Sequence, residues 1–229
     1  MESGRPAVTG ASPSPLLAAG SDAAVTVAAN HDGVAGYRAF AAVGRSVVAL
    51  LNRRFAEELP GQRRPEAVLA GTVDFDKVNT PNAVIQFPAV SIYCYRVCVD
   101  RETRAGWSAV AMYDGVPRLP VRMHLLVSAW DEVAEAELEW LGLAARVLET
   151  EPILTGPLLH PSGDWAPGDA IQVVQDDLAL DSMSEAFQAL TTDYRLCMTY
   201  VARVVRIDGS QRPPSERVTT VLSGVEPAP

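Results

Sequence analysis

The sequence predicts an α/β (α+β) domain in which a mixed, largely antiparallel sheet is covered on one face by two long helices. Three observations predict it. Apolar residues recur at helical spacing in two long segments, they alternate in two others, and the helical and extended segments are interleaved rather than segregated. From Val34 to Leu59 the residues Tyr37, Phe40, Val43, Val47, Leu51 and Phe55 make the first helical stripe, with Arg45, Arg53, Arg54 and Glu57 opposite. Asp32 is the expected N-cap and Pro60-Gly61 the stop. A polar connector, Gly61 to Pro65, leads to a short strand over Ala67 to Phe75 and a turn at Asn79 to Asn82.

Residues 88–99 are dense in β-branched and aromatic side chains, with Ser91, Tyr93, Tyr95 and Val97 alternating against Val90, Ile92, Cys94 and Arg96. Arg101 to Arg104 reads as a charged turn and Trp107 to Tyr113 as a return strand. Leu119 to Trp130 alternates again and is expected to be a central strand. The second helix follows at residues 131–152: Val133, Ala136, Trp140, Ala144 and Val147, joined by Leu141 and Leu148, form a stripe, acids fill the first turn, and Pro152 ends it. Prolines and glycines between Ile153 and Gly168 mark an irregular loop, and Ile171 to Val174 a short strand. Asp181 or Ser182 caps a short helix running to about Leu190, and Tyr194 to Asp208 is the longest uninterrupted strand candidate. Pro213-Pro214 then breaks the chain before a last β-like run over 218–225. These readings divide the chain into a leader (1–32), one domain (33–208) and a C-terminal strand and tail (209–229).

Composition narrows the function. The 229 residues are 48% hydrophobic and 21% charged, enough to bury a substantial core. With 19 Lys+Arg against 28 Asp+Glu and a net charge of -9, the chain is repelled by phosphate backbones and anionic lipid, so neither nucleic acid nor membrane is an expected partner. The longest apolar runs, such as Val47 to Leu51, fall far short of the roughly 20 residues that cross a bilayer. Three cysteines imply no disulfide framework, and a reducing compartment is the default. The alanine-rich stretch Leu16 to Ala29 lacks the basic flank and continuous apolar run of an export signal.

No catalytic signature is present: no GxSxG, GxxxxGK[ST], GxGxxG after a strand, or HExxH. His31, His124 and His160 lack the spacing of metal ligands, so neither metal nor cofactor is expected. Cys94 and Cys98, four apart on a strand, fall on one face about 13 Å apart at a rise of ~3.3 Å, too far to chelate together, and read as small buried core residues. Asp74 with Asp76, placed on one face of a strand, and Asp176-Asp177 at a strand end read as solvated acids. Trp107, Trp130, Trp140, Tyr93, Tyr95 and Tyr200 gather in or beside the strands, where aromatic residues anchor interfaces as readily as cores. A ligand pocket walled by the sheet, if there is one, draws its polar groups from His124, Tyr200 and Asp176.

Four segments in order carry a resemblance: SIYCYRV (91–97), PRLPVRMHLLVSAW (117–130), LEWLGLAARVLETEPILTGPLL (138–159) and DYRLCMTYVARVVRID (193–208). In them stand Leu119 to Trp130, the pair Leu141-Gly142, the element Pro152, Leu154, Gly156, and Tyr194, Arg195, Leu196 with Tyr200. Over about residues 34 to 208, and only loosely from Gln62 to Phe87, the chain resembles the cap or tail-terminator proteins of extracellular contractile injection systems, phage-tail-like particles of the antifeeding-prophage and virulence-cassette type. The resemblance implies a tail-terminator-like fold and a structural, non-enzymatic role: a homo-oligomeric ring, six-fold, on the distal end of the contractile sheath and inner tube, ending polymerisation and fixing length. It implies assembly in the cytoplasm into a particle that is released or retained. The interface candidates it suggests are Tyr93, Tyr95, His124, Trp130, Arg195, Tyr200, Val218 and Val221. The competing reading is a small α/β ligand-binding or adaptor protein that forms no ring.

Overall fold

The computed structural model describes residues 35–107, 116–177, 184, 187 and 195–209. The chain divides into two units, Met1–Asn30 and His31–Pro229, and every described residue belongs to the second. Helix α1 (Ala39–Glu58) buries Ala39, Val43, Val47, Leu50, Leu51 and Phe55, close to the expected stripe. It starts later than its periodicity suggests: Arg38 holds the N-cap position without a side-chain cap, Tyr37 is 79% exposed, and Asp32 lies outside the described residues. Strand β1 (Glu66–Leu69) is shorter than expected, because Asp74 Oδ2 accepts from the Gly71 N–H at 2.7 Å and turns Thr72–Lys77 into a 3₁₀ helix. Asp74 and Asp76 are therefore on that helix and not on a strand face. Asn79 and Asn82 take positive φ (54° and 65°), completing the expected turn.

Strand β2 (Ala89–Val99) leads to a one-turn helix, α2 (Arg101–Arg104), which Asp100 caps by accepting from the N–H groups of Glu102 and Thr103. Trp107 closes a 3₁₀ turn, and the remainder of the expected return strand lies outside the described residues. Strand β3 (Arg118–Trp130) is followed by α3 (Ala134–Thr150). The loop expected after it contains a three-residue strand, β4 (Ile153–Thr155), then β5 (Ala170–Gln175) and β6 (Cys197–Asp208). Ser184 and Phe187 are helical; the rest of the short helix expected there, and residues 210–229 with Val218 and Val221, lie outside the described residues.

The six strands form one mixed sheet in the order β1-β2-β3-β6-β5-β4, with β1 parallel to β2 and every other pair antiparallel. Strand β3 is internal, as expected. Both long helices pack on one sheet face, where Leu51, Phe55, Ile92, Leu125, Tyr200, Ile171, Trp140 and Leu148 belong to one continuous core. Each fully buried large aliphatic side chain there contributes about 1.5–3 kcal/mol. Gly44 in α1 lets the helix approach β1 closely: a Cβ at that position would come within 2.8 Å of Leu69 Cδ1, and that side chain would have to shift. On the opposite sheet face a smaller core gathers Phe75, Ile85, Ala89, Leu126, Trp130, Phe187 and Cys197.

Two strands change phase along their length. The β2–β3 register shifts between Cys94 and Arg96, and the β3–β6 register steps from Met123↔Ala202 to Val121↔Val205. One extra residue reverses which side chains face the helices. Cys94 consequently packs against the helix-side core while Cys98 meets His124 on the other side, so the two thiols occupy opposite faces and not one.

Candidate functional surface

The sheet face away from the helices collects most of the sequence-derived interface candidates, in two groups. In the first, Trp130 donates its indole N–H to Ser91 Oγ at 2.7 Å, and the Arg195 guanidinium lies 4.7 Å from the Trp130 ring centroid. Arg195 also pairs with Glu137 of α3 at 3.0 Å, tying the entry of β6 to that helix. Phe75 bridges onward, tilted against Trp130 at 5.7 Å and edge-on to Tyr93 at 5.3 Å. The Tyr93 hydroxyl lies 3.3 Å from Thr72 Oγ1. Arg195 is stacked on an aromatic face through its plane and ion-paired through its edge.

The second group lies further along β2 and β3. Tyr95 and His124 bring their rings to 5.9 Å, and His124 Nδ1 is 3.1 Å from Asp176 Oδ2. The Tyr95 phenol is pushed up by burial and by the Asp176 charge, and its hydroxyl is buried with no hydrogen-bond partner. Beside it, Arg122 holds Asp100 through two hydrogen bonds, at 3.1 and 3.3 Å. Burial raises the Asp100 carboxyl, but the Arg122 hydrogen bonds and the N–H groups of Glu102 and Thr103 outweigh it, leaving the group below its ordinary value.

Two candidates are core residues. Trp130 and Tyr200 are each 1% exposed, and of the two only Trp130 lies beneath this surface. Tyr200 also lies on the helix side, and burial, joined by the Glu149 charge, pushes its phenol up to about 12. Of the three polar groups proposed for a pocket, His124 and Asp176 therefore meet, and Tyr200 is on the other face of the sheet. Cys98, expected to be a small core residue, is half-buried, with its Sγ 3.4 Å from His124 Nε2. That contact depends on strand order and on the β2 bulge, neither of which spacing reveals. Among the described residues no group of three or more His, Cys, Asp and Glu side chains could hold a metal ion, and no helix is long and apolar enough to cross a membrane.

The sheet edges differ. At β1 the Asn52 side chain of α1 accepts from Ala67 N–H and donates to Ala67 C=O, both at 2.8 Å, taking the place of a neighbouring strand. At the other end β4 is the outermost strand, with Ile153 52% exposed.

A family described as the Pvc16 N-terminal domain matches residues 42–220. Among solved structures, the chain is similar to the sheath/tube terminator of the extracellular contractile injection system PVC in its extended state, at 20% identity and a TM-score of 0.48, over 82% of this chain and 63% of that one. It is also similar to the tube-terminating cap of the anti-feeding prophage, at 15% identity and a TM-score of 0.44, over 78% of this chain and 60% of that one. The chain thus spans less than two thirds of either protein. No curated protein matches it.

Proposed function

The chain belongs to the family of the Pvc16 N-terminal domain, and from that premise we propose that it terminates the tail of a contractile injection system. In this reading copies close into a six-fold ring on the distal end of inner tube and sheath, stop their growth and so set particle length. The observation that carries it is the family match over residues 42–220, which takes in all six strands and most of α1. The four ordered segments of the sequence agree with it, as does a surface built of aromatic packing and ion pairs.

A ring that closes needs two different side surfaces that fit each other, because a contact that fails to close propagates as a filament. Tyr93, Tyr95, His124 and Arg195 are our candidates for such contacts, with Trp130 behind them and Tyr200 in the helix-side core. Residues 209–229, including Val218 and Val221, are assigned to strand exchange or edge pairing with sheath, and residues 1–32 to a leader. The ring assembles in the cytoplasm, carries no catalytic function, and joins a particle that is released or retained.

Particles made without this chain provide the test. Electron microscopy should find tubes and sheaths of uncontrolled length, or none that persist, and restoring the chain should restore one length. Particles of normal fixed length in its absence would refute termination. Light scattering tests the ring separately: a species of six times the 24.5 kDa chain is expected on tube ends or free.

A further inference from the structure

The geometry points to Cys98 as a nucleophilic thiol that exchanges with small anionic disulfides, with His124 as its proton acceptor and Asp176 as the residue that positions the imidazole. This inference does not depend on the terminator reading. The three side chains come from three places in the sheet: Cys98 near the end of β2, His124 on β3, and Asp176 immediately after β5. His124 Nε2 is 3.4 Å from Cys98 Sγ, and His124 Nδ1 is 3.1 Å from Asp176 Oδ2. An ionised carboxylate can only accept, so Nδ1 carries a proton, and in the neutral ring Nε2 turns its lone pair toward the thiol. This is the arrangement that a nucleophile, a base and an orienting acid require.

The surroundings hold the arrangement in place and, among the described residues, leave it open on one side. Asp176 is fixed to β6: its N–H donates to the Thr199 carbonyl at 2.9 Å, and its carbonyl accepts from the Thr199 hydroxyl. The Tyr95 ring flanks the imidazole. Cys98 is half-buried and lines an open pocket with Arg96, Arg101, Glu102, Arg122 and His124. Arg122 is committed to Asp100 and Glu102, while Arg96 and Arg101 add positive charge at the mouth. Cationic groups around a thiol favour the thiolate that develops during attack and attract an anionic reactant. Burial pushes the Cys94 thiol up, and pushes Cys197 up to about 11.

In the exchange, His124 Nε2 takes the Cys98 proton as Sγ attacks one sulfur of the disulfide. The new S–S bond forms while the old one breaks, and its electron pair leaves on the departing thiolate, which recovers the proton from His124. One disulfide and one protein thiol become one mixed disulfide and one free small thiol, with no external oxidant.

The experiment uses the full-length reduced chain, glutathione disulfide at pH 7, and peptide mass spectrometry that follows each cysteine separately. Cys98 is expected to be modified about 100-fold faster than Cys94 or Cys197, the scale of a positioned base. His124→Gln should bring Cys98 down to their level and Asp176→Asn should remove part of the advantage. Cys94 and Cys197 should stay slow in both variants, which distinguishes lost activation from a loosened fold. The rate ratio of glutathione disulfide to neutral hydroxyethyl disulfide should be larger at Cys98 than at Cys94 or Cys197, which corrects for their different leaving thiols. Equal rates at all three cysteines, or a His124→Gln chain in which Cys98 reacts as fast as before, would overturn the inference; a ratio between the two disulfides no larger at Cys98 than at the other cysteines would overturn its anionic preference.

Discussion

Asp131 shows how one side chain fastens several elements. Its carboxylate, 1% exposed, receives Arg63 Nη1 at 2.8 Å, the Trp140 indole N–H at 2.8 Å and the Glu132 N–H at 2.7 Å, so it joins the end of β3, the turn into α3 and the connector before β1. The Arg63 hydrogen bond, which outweighs the cost of burial, together with Trp140 and the backbone N–H groups, lowers its pKa to about 2. A carboxyl depressed in the folded state stabilises above its unfolded value and loses that contribution as pH falls through the folded one. The advantage of the native chain over Asp131→Asn in urea unfolding should therefore be full above about pH 4 and shrink toward pH 2. At neutral pH, Asp131→Ala should cost about 2 kcal/mol, because it strands the buried Trp140 N–H. A constant difference between native and Asp131→Asn chains across that acid range would contradict the assignment.

Among the elements, the edge strand β1 depends on a helix for its outer pairing. Replacing Asn52 with Ala removes two hydrogen bonds and exposes the Ala67 N–H and C=O to other chains. We expect a loss of about 1–2 kcal/mol and faster hydrogen exchange at the Ala67 amide, measured by NMR. An unchanged exchange rate would show that Asn52 is not the edge partner. Elements with long, regular periodicity were legible in the sequence: α1, α3, β2, β3 and β6 lie within a few residues of their expected bounds. Those made by a partner were not. Strand β4 exists because β5 pairs with it, and the Thr72–Lys77 helix because Asp74 reaches back to Gly71. The site was legible in part: aromatic clustering singled out Tyr93, Tyr95 and Trp130, while the meeting of Cys98, His124 and Asp176 needs the order of the strands. Exposure misled at Trp130 and Tyr200, since an aromatic in a two-faced sheet reads the same whether it ends in a core or on a surface.

For the molecule as a whole, the last described strand is a central one: β6 lies between β3 and β5 and joins the two halves of the sheet. A chain ended after Asp177 would leave both neighbours with open edges and would lack Tyr200, Ala202 and Val205 from the main core. Such a truncation should show no cooperative thermal transition by circular dichroism, and a sharp one would show that β6 is dispensable to the fold. The bulges in β2 and β6 flank β3 on both sides at nearly the same level, and β3 keeps its alternation unbroken between them. This has a consequence for comparing sequences within the family. A relative that lacks one bulge residue must read with its polar and apolar positions exchanged over the remainder of that strand, so a single-residue gap placed anywhere else in the strand would align core positions with surface ones.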